Sequence, residues 1–485
     1  MTNNVSGTFS VGKFALISAV VLALVLGLAY ALGFKNPFRS VNYKSSSKDA
    51  FVYGYSLVLT EVTKDVLTNV AKPVGQSAPI NQFSPPSQLI TAKFHDIVSV
   101  NVDTVYSFAW VNTSEEPMVV SFPDAGKRFW VGELIDAWTN PYHTLAGVSG
   151  DFSGKTFVLV GPSTPKGKIN TTLPVIKSPT DLSIVVGRYL SYRTPGDIEK
   201  INALQKKLSI TPLSKYGQTY TPPLGTVNPN IDMKVAPPEK IENFTAKQFF
   251  DVFVPVLGEN PPQKVRDAAY VENLRLMGFE PGKKIDWSKF TEEQLADMQA
   301  GIDEGKTEMA EMATDLGSQG KIVNGWISSV QMYDYKYNTR NMKRDIIGVK
   351  GFGALPTSQA VYFMTTFDSE GNPVNSANDY EVRFKKGEFP PVKGFWSLTI
   401  YTAAGWLIDN ELNRYNISSE DKLTIDENGD LVIYISANPA KVKSNWLPSG
   451  KQVTDLSFAL RCYAPEKPLL EEKWHAPAIT KVVKA

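Results

Sequence analysis

Hydrophobic and polar positions are distributed most unevenly at the start of the chain. Nineteen successive residues from Phe14 to Leu32, "FALISAVVLALVLGLAYAL", carry no charge. At 1.5 Å per residue such a helix reaches about 29 Å, close to the hydrocarbon thickness of a bilayer. The run predicts a membrane-inserted segment, either retained as a single-pass anchor or cleaved as a signal peptide after "AYA" ending at Ala31. Its length favours retention. "KNPFRSVNYKSSSK" then reads as a polar tether, closing a first region of residues 1–48.

Beyond it the period of the pattern changes repeatedly. In "DAFVYGYSLVLTEVTKDVLTNV", Phe51, Tyr55, Leu59, Val62 and Val66 recur at spacings of three and four, predicting an amphipathic helix capped by Asp49. From Asn101 to about Leu190 short β-branched and aromatic runs predict strands: "TVYSFAWVNT", "MVVSFPD", "KRFWVGELID", "KTFVLVGP" and "DLSIVVGRYLSY". "TPGDIEKINALQKKLSITPL" returns to a helical period, with Thr194 or Asp197 as its cap. Ser214 to Pro238 carries five prolines and no period, predicting a long surface excursion that crosses between domains or covers a cleft.

A mainly helical stretch follows. Pro261 and Pro262 interrupt it, Gly278 and Pro281 end one helix, and Thr291 with Gln294 forms a capping box for the next. Met298, Met309 and Met312 fall at helical spacing and read as core filler. The last part is strand-like again. Turns are expected at 369–372 and at Asn428-Gly429, the latter a strong hairpin signal. The whole is a mixed α and β, multidomain chain: an N-terminal transmembrane helix, a β-rich domain (49–195), a mainly helical middle (196–345) and a C-terminal antiparallel β-sandwich of jelly-roll type (346–485).

Charge and cysteine content remove some classes of function. Fifty basic residues against forty-nine acidic ones give a net charge of +1, which argues against a general nucleic-acid binder. The single cysteine, Cys462, forms no internal disulfide and sits in a strand-like run as a small buried residue. Only three histidines occur, His95, His143 and His475, without a metal-binding spacing. His95 and Asp96 beside Asp103 are the nearest approach to a metal site, so no metal is assigned. "GVKGFGALP" lacks the spacing of a phosphate cradle, and no G-x-S-x-G elbow is present, so no cofactor is implied.

What remains is polar residues among aromatic ones. In "VNVDTVYSF", alternation puts Asn101, Asp103 and Val105 on one face and Val102, Thr104 and Tyr106 on the other; Asn101 and Asp103 serve equally well as turn caps. "KRFWVGELIDAWTNPYHTLAG" adds Arg128, Asp136, Trp138, Asn140, Tyr142 and His143. Such sets line sugar or small-ligand pockets, and they also build hydrogen-bonded cores. For a hydrolase, Asp103 and Asp136 are the candidate acid/base pair, whose separation would set the stereochemistry. Sequons begin at Asn4, Asn112, Asn170, Asn243 and Asn416, relevant only in a glycosylating compartment.

Two motif sets carry a family likeness. "NVDTVYSFAWV", "FPDAGKRFWVGELIDAWTN" and the following "AG" resemble the uncharacterised family DUF1254. "GFWSLTIYTAAGWLIDNELNRYNI", "ENGDLVIYIS", "SNWLPSG" and "LSFALRCYAPE" resemble its companion DUF1214. The resemblance covers most of the chain after residue 50. It implies a β-rich part, a helical middle and a C-terminal sandwich in an exported or envelope-associated setting, against the cytoplasmic side that Lys35, Arg39, Lys44 and Lys48 after the apolar run favour. It supplies no reaction. Matched positions are Asn101, Asp103, Thr104, Tyr106, Asp136, Trp138, Asp409, Asn410, Arg414, Tyr415, Asn445 and Trp446. Arg414 is either a clamp for an anionic ligand or a brace for its turn.

The expectation is therefore a single-pass membrane-anchored or envelope-associated protein, its body extracytoplasmic. It would bind a polar small molecule or glycan through Asn101, Asp103, Tyr106, Asp136, Trp138, Asn140, Arg414 and Trp446. A metal-independent hydrolase or lyase acting on a glycan-like substrate is one alternative, and an assembly or virion structural protein is another. A homo-oligomer is compatible with each.

Overall fold

The computed structural model describes residues 41–93, 99–262, 267–314, 321–330, 353–438 and 444–482. The apolar run Phe14–Leu32, His95 and Asp96 lie outside the described residues. Among those described, no helix is long and apolar enough to cross a membrane.

Two four-stranded sheets form the first β-rich part. One has the order β1 (Thr104–Asn112), β7 (Leu182–Leu190), β3 (Trp130–Asp136), β4 (Pro141–Ala146), antiparallel throughout. The other runs β6 (Val175–Lys177), β5 (Lys155–Val160), β2 (Met118–Phe122), β8 (Ser209–Pro212). They enclose one core in which Val105, Trp130, Leu134, Val185 and Tyr189 meet Val120, Phe122, Phe157 and Leu159. The helical period expected through Leu213 does not extend over β8. In fact α2 (Asp197–Gln205) stops earlier, and Ile210 pairs with Val120 across the sheet, where a β-branched side chain fits the pleat.

Helices cover part of the opposite face of the first sheet. They are α1 (Tyr43–Thr68), α3 (Pro237–Glu242), α4 (Ala246–Glu259), α5 (Ala268–Leu276) and α6 (Glu292–Thr314). They have no core apart from that sheet: Phe51, Tyr53, Phe249 and Phe253 share one cluster with Trp110, Trp138, Ile184 and Val186. The supposed tether contributes to this layer, because α1 begins at Tyr43 with Asn42 as its cap. "SSSK" is polar for a packing reason. Ser47 is fully buried where α1 crosses α6, and a Cβ on Gly301 would lie 2.1 Å from the Lys44 carbonyl oxygen. Small residues let the two backbones approach, and Lys44 and Lys48 then reach Glu304 at 3.0 and 2.9 Å. Nor is α1 amphipathic: Ala50 to Thr60 are buried without a break.

The C-terminal part places two sheets face to face. The larger has the order β14 (Asn416–Ser418), β13 (Trp396–Thr402), β17 (Leu456–Tyr463), β11 (Ala360–Thr365), β10 (Trp326–Ser328), β9 (Ile322–Val323). The smaller runs β16 (Trp446–Pro448), β15 (Leu431–Ser436), β12 (Tyr380–Phe384), β18 (Ile479–Lys481). Val361, Leu398, Leu460 and Cys462 from one meet Val382, Phe384, Ile433 and Leu447 from the other in a single core. The pairing is not wholly antiparallel, since β15 and β16 run parallel. Both expected turns form, the first closing an antiparallel bridge between Phe367 and Pro373, but neither joins two neighbouring strands of one sheet. The turn at 369–372 passes the chain from the larger sheet to the smaller. At 428–429 the first arm stays out of the ladder, because Asn445 occupies the backbone N–H and C=O of Thr424.

Candidate functional site

Along β13 and β17 apolar and polar residues alternate. Trp396, Leu398, Ile400, Leu460 and Cys462 face the sandwich core, which leaves Ser397, Thr399, Tyr401, Arg461 and Tyr463 on the outer face. Such a face normally meets water. Here it is buried: Ser397 and Thr399 have no exposed surface, and Asn416, Ser418, Arg461 and Tyr463 very little. The cover is the N-terminal part of the chain, so the two β-rich bodies meet along a polar seam.

Asp103 is the centre of that seam. It sits just before β1, is fully buried, and reaches across to the larger C-terminal sheet. The Ser397 hydroxyl donates to Oδ2 at 2.5 Å, the Asn416 amide donates to Oδ1, and Arg193 Nη2 lies 3.2 Å from Oδ1. Burial raises the Asp103 carboxyl, opposed by the nearby Arg193 guanidinium and the Ser397 hydroxyl. Arg193 is brought there by a braced turn. The Asp197 carboxylate accepts from the Tyr192 N–H at 2.7 Å and from the Ser191 hydroxyl at 3.1 Å, and it pairs with buried Arg128. Arg193 itself takes φ +53°, a left-handed backbone that a long side chain rarely adopts.

Neighbouring groups complete the seam. Asn101 Nδ2 donates to the Tyr463 hydroxyl at 2.6 Å, while its Oδ1 accepts from the Asp103 N–H at 2.6 Å. Arg461 donates to Thr399 Oγ1, the Tyr401 hydroxyl and the Ser99 carbonyl at 2.8 to 3.0 Å. Gln359 bridges Thr144 and the Val148 N–H, each at 3.0 Å, and fits only because residue 147 is glycine: a Cβ there would stand 2.2 Å from Gln359 Oε1. Phe129, Phe395 and Tyr463 close the apolar portion, with the last two stacked at 4.2 Å.

Of the expected ligand residues, Asn101, Asp103 and Tyr106 belong to this seam or its margin. The strand becomes regular only at Thr104, so Val102 as well as Asp103 faces the C-terminal part. The others lie elsewhere. Asp136 ends β3 and holds its own turn, accepting from the Trp138 and Asn140 N–H groups at 2.9 Å and from the Asn140 amide at 3.1 Å. Trp138 packs under the helices against Tyr53. Arg414 braces a C-terminal loop by donating to the Trp446 carbonyl at 3.2 Å, and the indole of Trp446 donates to Ser436. Asn410 closes the Arg414 loop through both ends of its amide.

The proposed pairing of Asp103 with Asp136 fails on register. The Asp103 carbonyl receives the Ser191 N–H, whereas Asp136 stands opposite Ser183, eight residues along the same chain segment. At about 3.3 Å per residue the two lie roughly 26 Å apart, at opposite ends of the sheet. A general acid and base must flank one bond, so these two cannot work together.

One further polar group on the first sheet had no place among the expected residues. Glu133 on β3 and Arg188 on β7 are buried, with Oε2 and Nη2 2.8 Å apart. Arg188 also donates to the Gly353 carbonyl and lies 5.2 Å over the Tyr106 ring. Burial pushes the Glu133 carboxyl up to about 7, with Arg188 opposing the shift. The signal for these residues was present in "WVGELID" and "IVVGRYL", a charge in the middle of each otherwise buried strand.

A shallow recess lies at the far edge of the larger C-terminal sheet, lined by Lys321, Trp326, Phe363, Glu472, Trp474 and His475. It sits beside β9 and β10, across the sheet from the Asp103 partners on β13 and β14.

The motif-bearing regions match two family models, both described as a protein of unknown function: DUF1254 over residues 80–212 and DUF1214 over residues 359–467. The chain belongs to the DUF1254/DUF1214 domain-containing proteins. Asp103 lies in the DUF1254 region and its partners Ser397 and Asn416 in the DUF1214 region, so the seam joins the two domains. The fold is similar to that of the VPA0106 protein from Vibrio parahaemolyticus, with TM-score 0.66 and 23% identity over 91% of this chain and all of that one. A putative uncharacterized protein from Burkholderia cenocepacia aligns over 91% of this chain and 94% of its own, at TM-score 0.43 and 10% identity. No curated protein matches.

Proposed function

We propose that this is a membrane-tethered or envelope-associated binding protein, holding a polar small molecule or glycan at the seam between its DUF1254 and DUF1214 domains. One observation carries the reading: tyrosines, amides and arginines from both domains meet there in a buried polar face. Ligand sites favour such domain interfaces, where rings cover apolar surface and polar groups fix orientation. The uncharged run Phe14–Leu32, shortly before α1, supports the tethering half of the proposal. The hydrolase reading loses its carboxylate pair through the separation of Asp103 and Asp136.

Two measurements test it. Full-length protein, purified in mild detergent, is applied to a glycan array and analysed by native mass spectrometry for retained small molecules. Expression in cells followed by alkaline extraction and protease protection tests the tether and the side occupied by the body. Retention of a glycan or polar molecule, with the chain left in the membrane pellet, is the expected result. A ligand-free protein that forms a stable self-complex would overturn binding in favour of the assembly role. Complete extraction of the intact chain would overturn the tether.

A further inference from the structure

The geometry points to Glu133 and Arg188 as a buried binding position for a neutral polyhydroxy molecule, a sugar or similar polyol whose adjacent hydroxyls bridge carboxylate and guanidinium. This inference rests on the proposed binding role and places its ligand on the DUF1254 side of the seam.

The two residues interrupt an apolar sheet face. On β7, Ile184 and Val186 precede Arg188 and Leu190 follows; on β3, Val131 and Ile135 flank Glu133. Apolar residues at both positions would complete that face, since a buried ion pair is often no more stabilising than a hydrophobic replacement. Nor is the pair completed by its surroundings. Glu133 Oε2 has only the Arg188 Nη2 contact at 2.8 Å, and among the described residues Glu133 Oε1 meets no donor and Arg188 Nη1 no acceptor. Thr104, two residues before Tyr106 on the same face, carries a second buried oxygen without a partner among the described residues. Buried polar atoms are paired in nearly every protein, so an unpaired acceptor, an unpaired donor and an unpaired hydroxyl on one face call for an occupant that both donates and accepts.

Charge narrows the chemistry. While Glu133 is ionised the pair is neutral overall, so an anion meets the carboxylate and a cation meets the guanidinium at close range. A hydroxyl group donates to Glu133 and accepts from Arg188 without introducing charge. The Gly353 carbonyl and Glu133 engage Nη2, which leaves Nη1 as the donor to spare. Tyr106, beneath the guanidinium, remains partly exposed, as does Tyr362, which interacts electrostatically with Arg188. Aromatic surface of this kind suits the C–H face of a sugar ring.

The test is isothermal titration of the full chain in detergent. Methyl α-D-glucopyranoside and myo-inositol serve as neutral probes, sodium acetate and methylammonium chloride as charged ones. Saturable binding of a neutral probe is expected, weakened at least tenfold in Glu133→Gln and several-fold in Thr104→Val. The threonine variant removes only an unpaired hydroxyl and retains its melting temperature, so it decides the matter if the glutamine variant does not fold. Preferential saturation by acetate or methylammonium would overturn the inference, as would failure of both neutral probes to saturate. Glycan-array binding that survives both substitutions would sink this site while leaving the broader binding role intact. Absence of any glycan or retained molecule on the wild-type protein would remove both.

Discussion

The Asp103 carboxylate and the Ser397 hydroxyl stand 2.5 Å apart, fully buried, although 294 residues separate them in the chain. The pair joins the two domains at a point where the Asn416 amide and Arg193 also converge. Asp103→Ala would remove the acceptor that three donors share and leave them buried together. A loss of about 3–5 kcal/mol is expected, as when one member of a buried charged pair is deleted. Ser397→Ala, which removes one donor, should cost roughly 1–2 kcal/mol. Urea denaturation of both variants and the double mutant checks this, and additive losses would show that the two side chains are not coupled.

Glu133 makes the stability of the fold depend on pH in a direction opposite to ordinary acid denaturation. Its carboxyl titrates at about 7 when folded, against an ordinary value of 4.5. Between those values the folded chain keeps a proton that the unfolded chain has released. Stability is therefore lost as pH rises through this window, at up to about 1.4 kcal/mol per unit. His143, on the exposed side of β4 but held low by partial desolvation, acts in the other direction below its ordinary 6.5, so comparison with a variant isolates the glutamate. The difference between wild type and Glu133→Gln should move in the variant's favour from pH 5 to pH 7. Denaturation curves that stay parallel across that range would refute the assignment.

Gly147 and Gln359 test the domain clamp. Glycine at 147 has φ +55°, and a Cβ would stand 2.2 Å from Gln359 Oε1. Gly147→Ala is expected to destabilise by roughly 1–3 kcal/mol through backbone strain and displacement of the glutamine. In the Gln359→Ala background the penalty should shrink. A double-mutant cycle should give a coupling of about 0.5–3 kcal/mol, and a coupling near zero would mean the clamp does not hold the domains.

The crossing of α1 and α6 gives a result that helix propensity alone would misjudge. Alanine is favoured over glycine within a helix by about 1 kcal/mol. At Gly301 the added Cβ would meet the Lys44 carbonyl oxygen at 2.1 Å and Ser47 Cβ at 2.9 Å. Gly301→Ala should therefore lower the melting temperature, because separating the helices costs more than propensity returns. A raised melting temperature would show that the helices are free to part.

Strand positions, turn sites and the Thr291 capping box were legible in the order of side chains, because each depends on neighbours a few residues away. "TVYSFAWVNT" became β1, and Gln294 and Thr291 exchange the expected hydrogen bonds at 3.0 and 3.2 Å. The turn residues Asp136 and Asn410 were recognisable as special, and their hydrogen bonds are local too, whereas Asn445 reaches back to Thr424 and Val432. Whether such a residue binds a ligand or braces its own loop depends on which groups surround it. Composition cannot supply that information, and the structure gives bracing partners to all three.

By itself the sequence determined the alternation that sends Leu398 and Cys462 inward and Ser397 and Arg461 outward, together with the uncharged run that precedes α1. Only the tertiary structure decided that the outward face is buried, that Asp103 crosses to Ser397, and that Asp136 stands at the other end of its sheet. The reason is physical: alternation selects the face on which a side chain emerges, whereas docking of one domain on another selects what that face will meet.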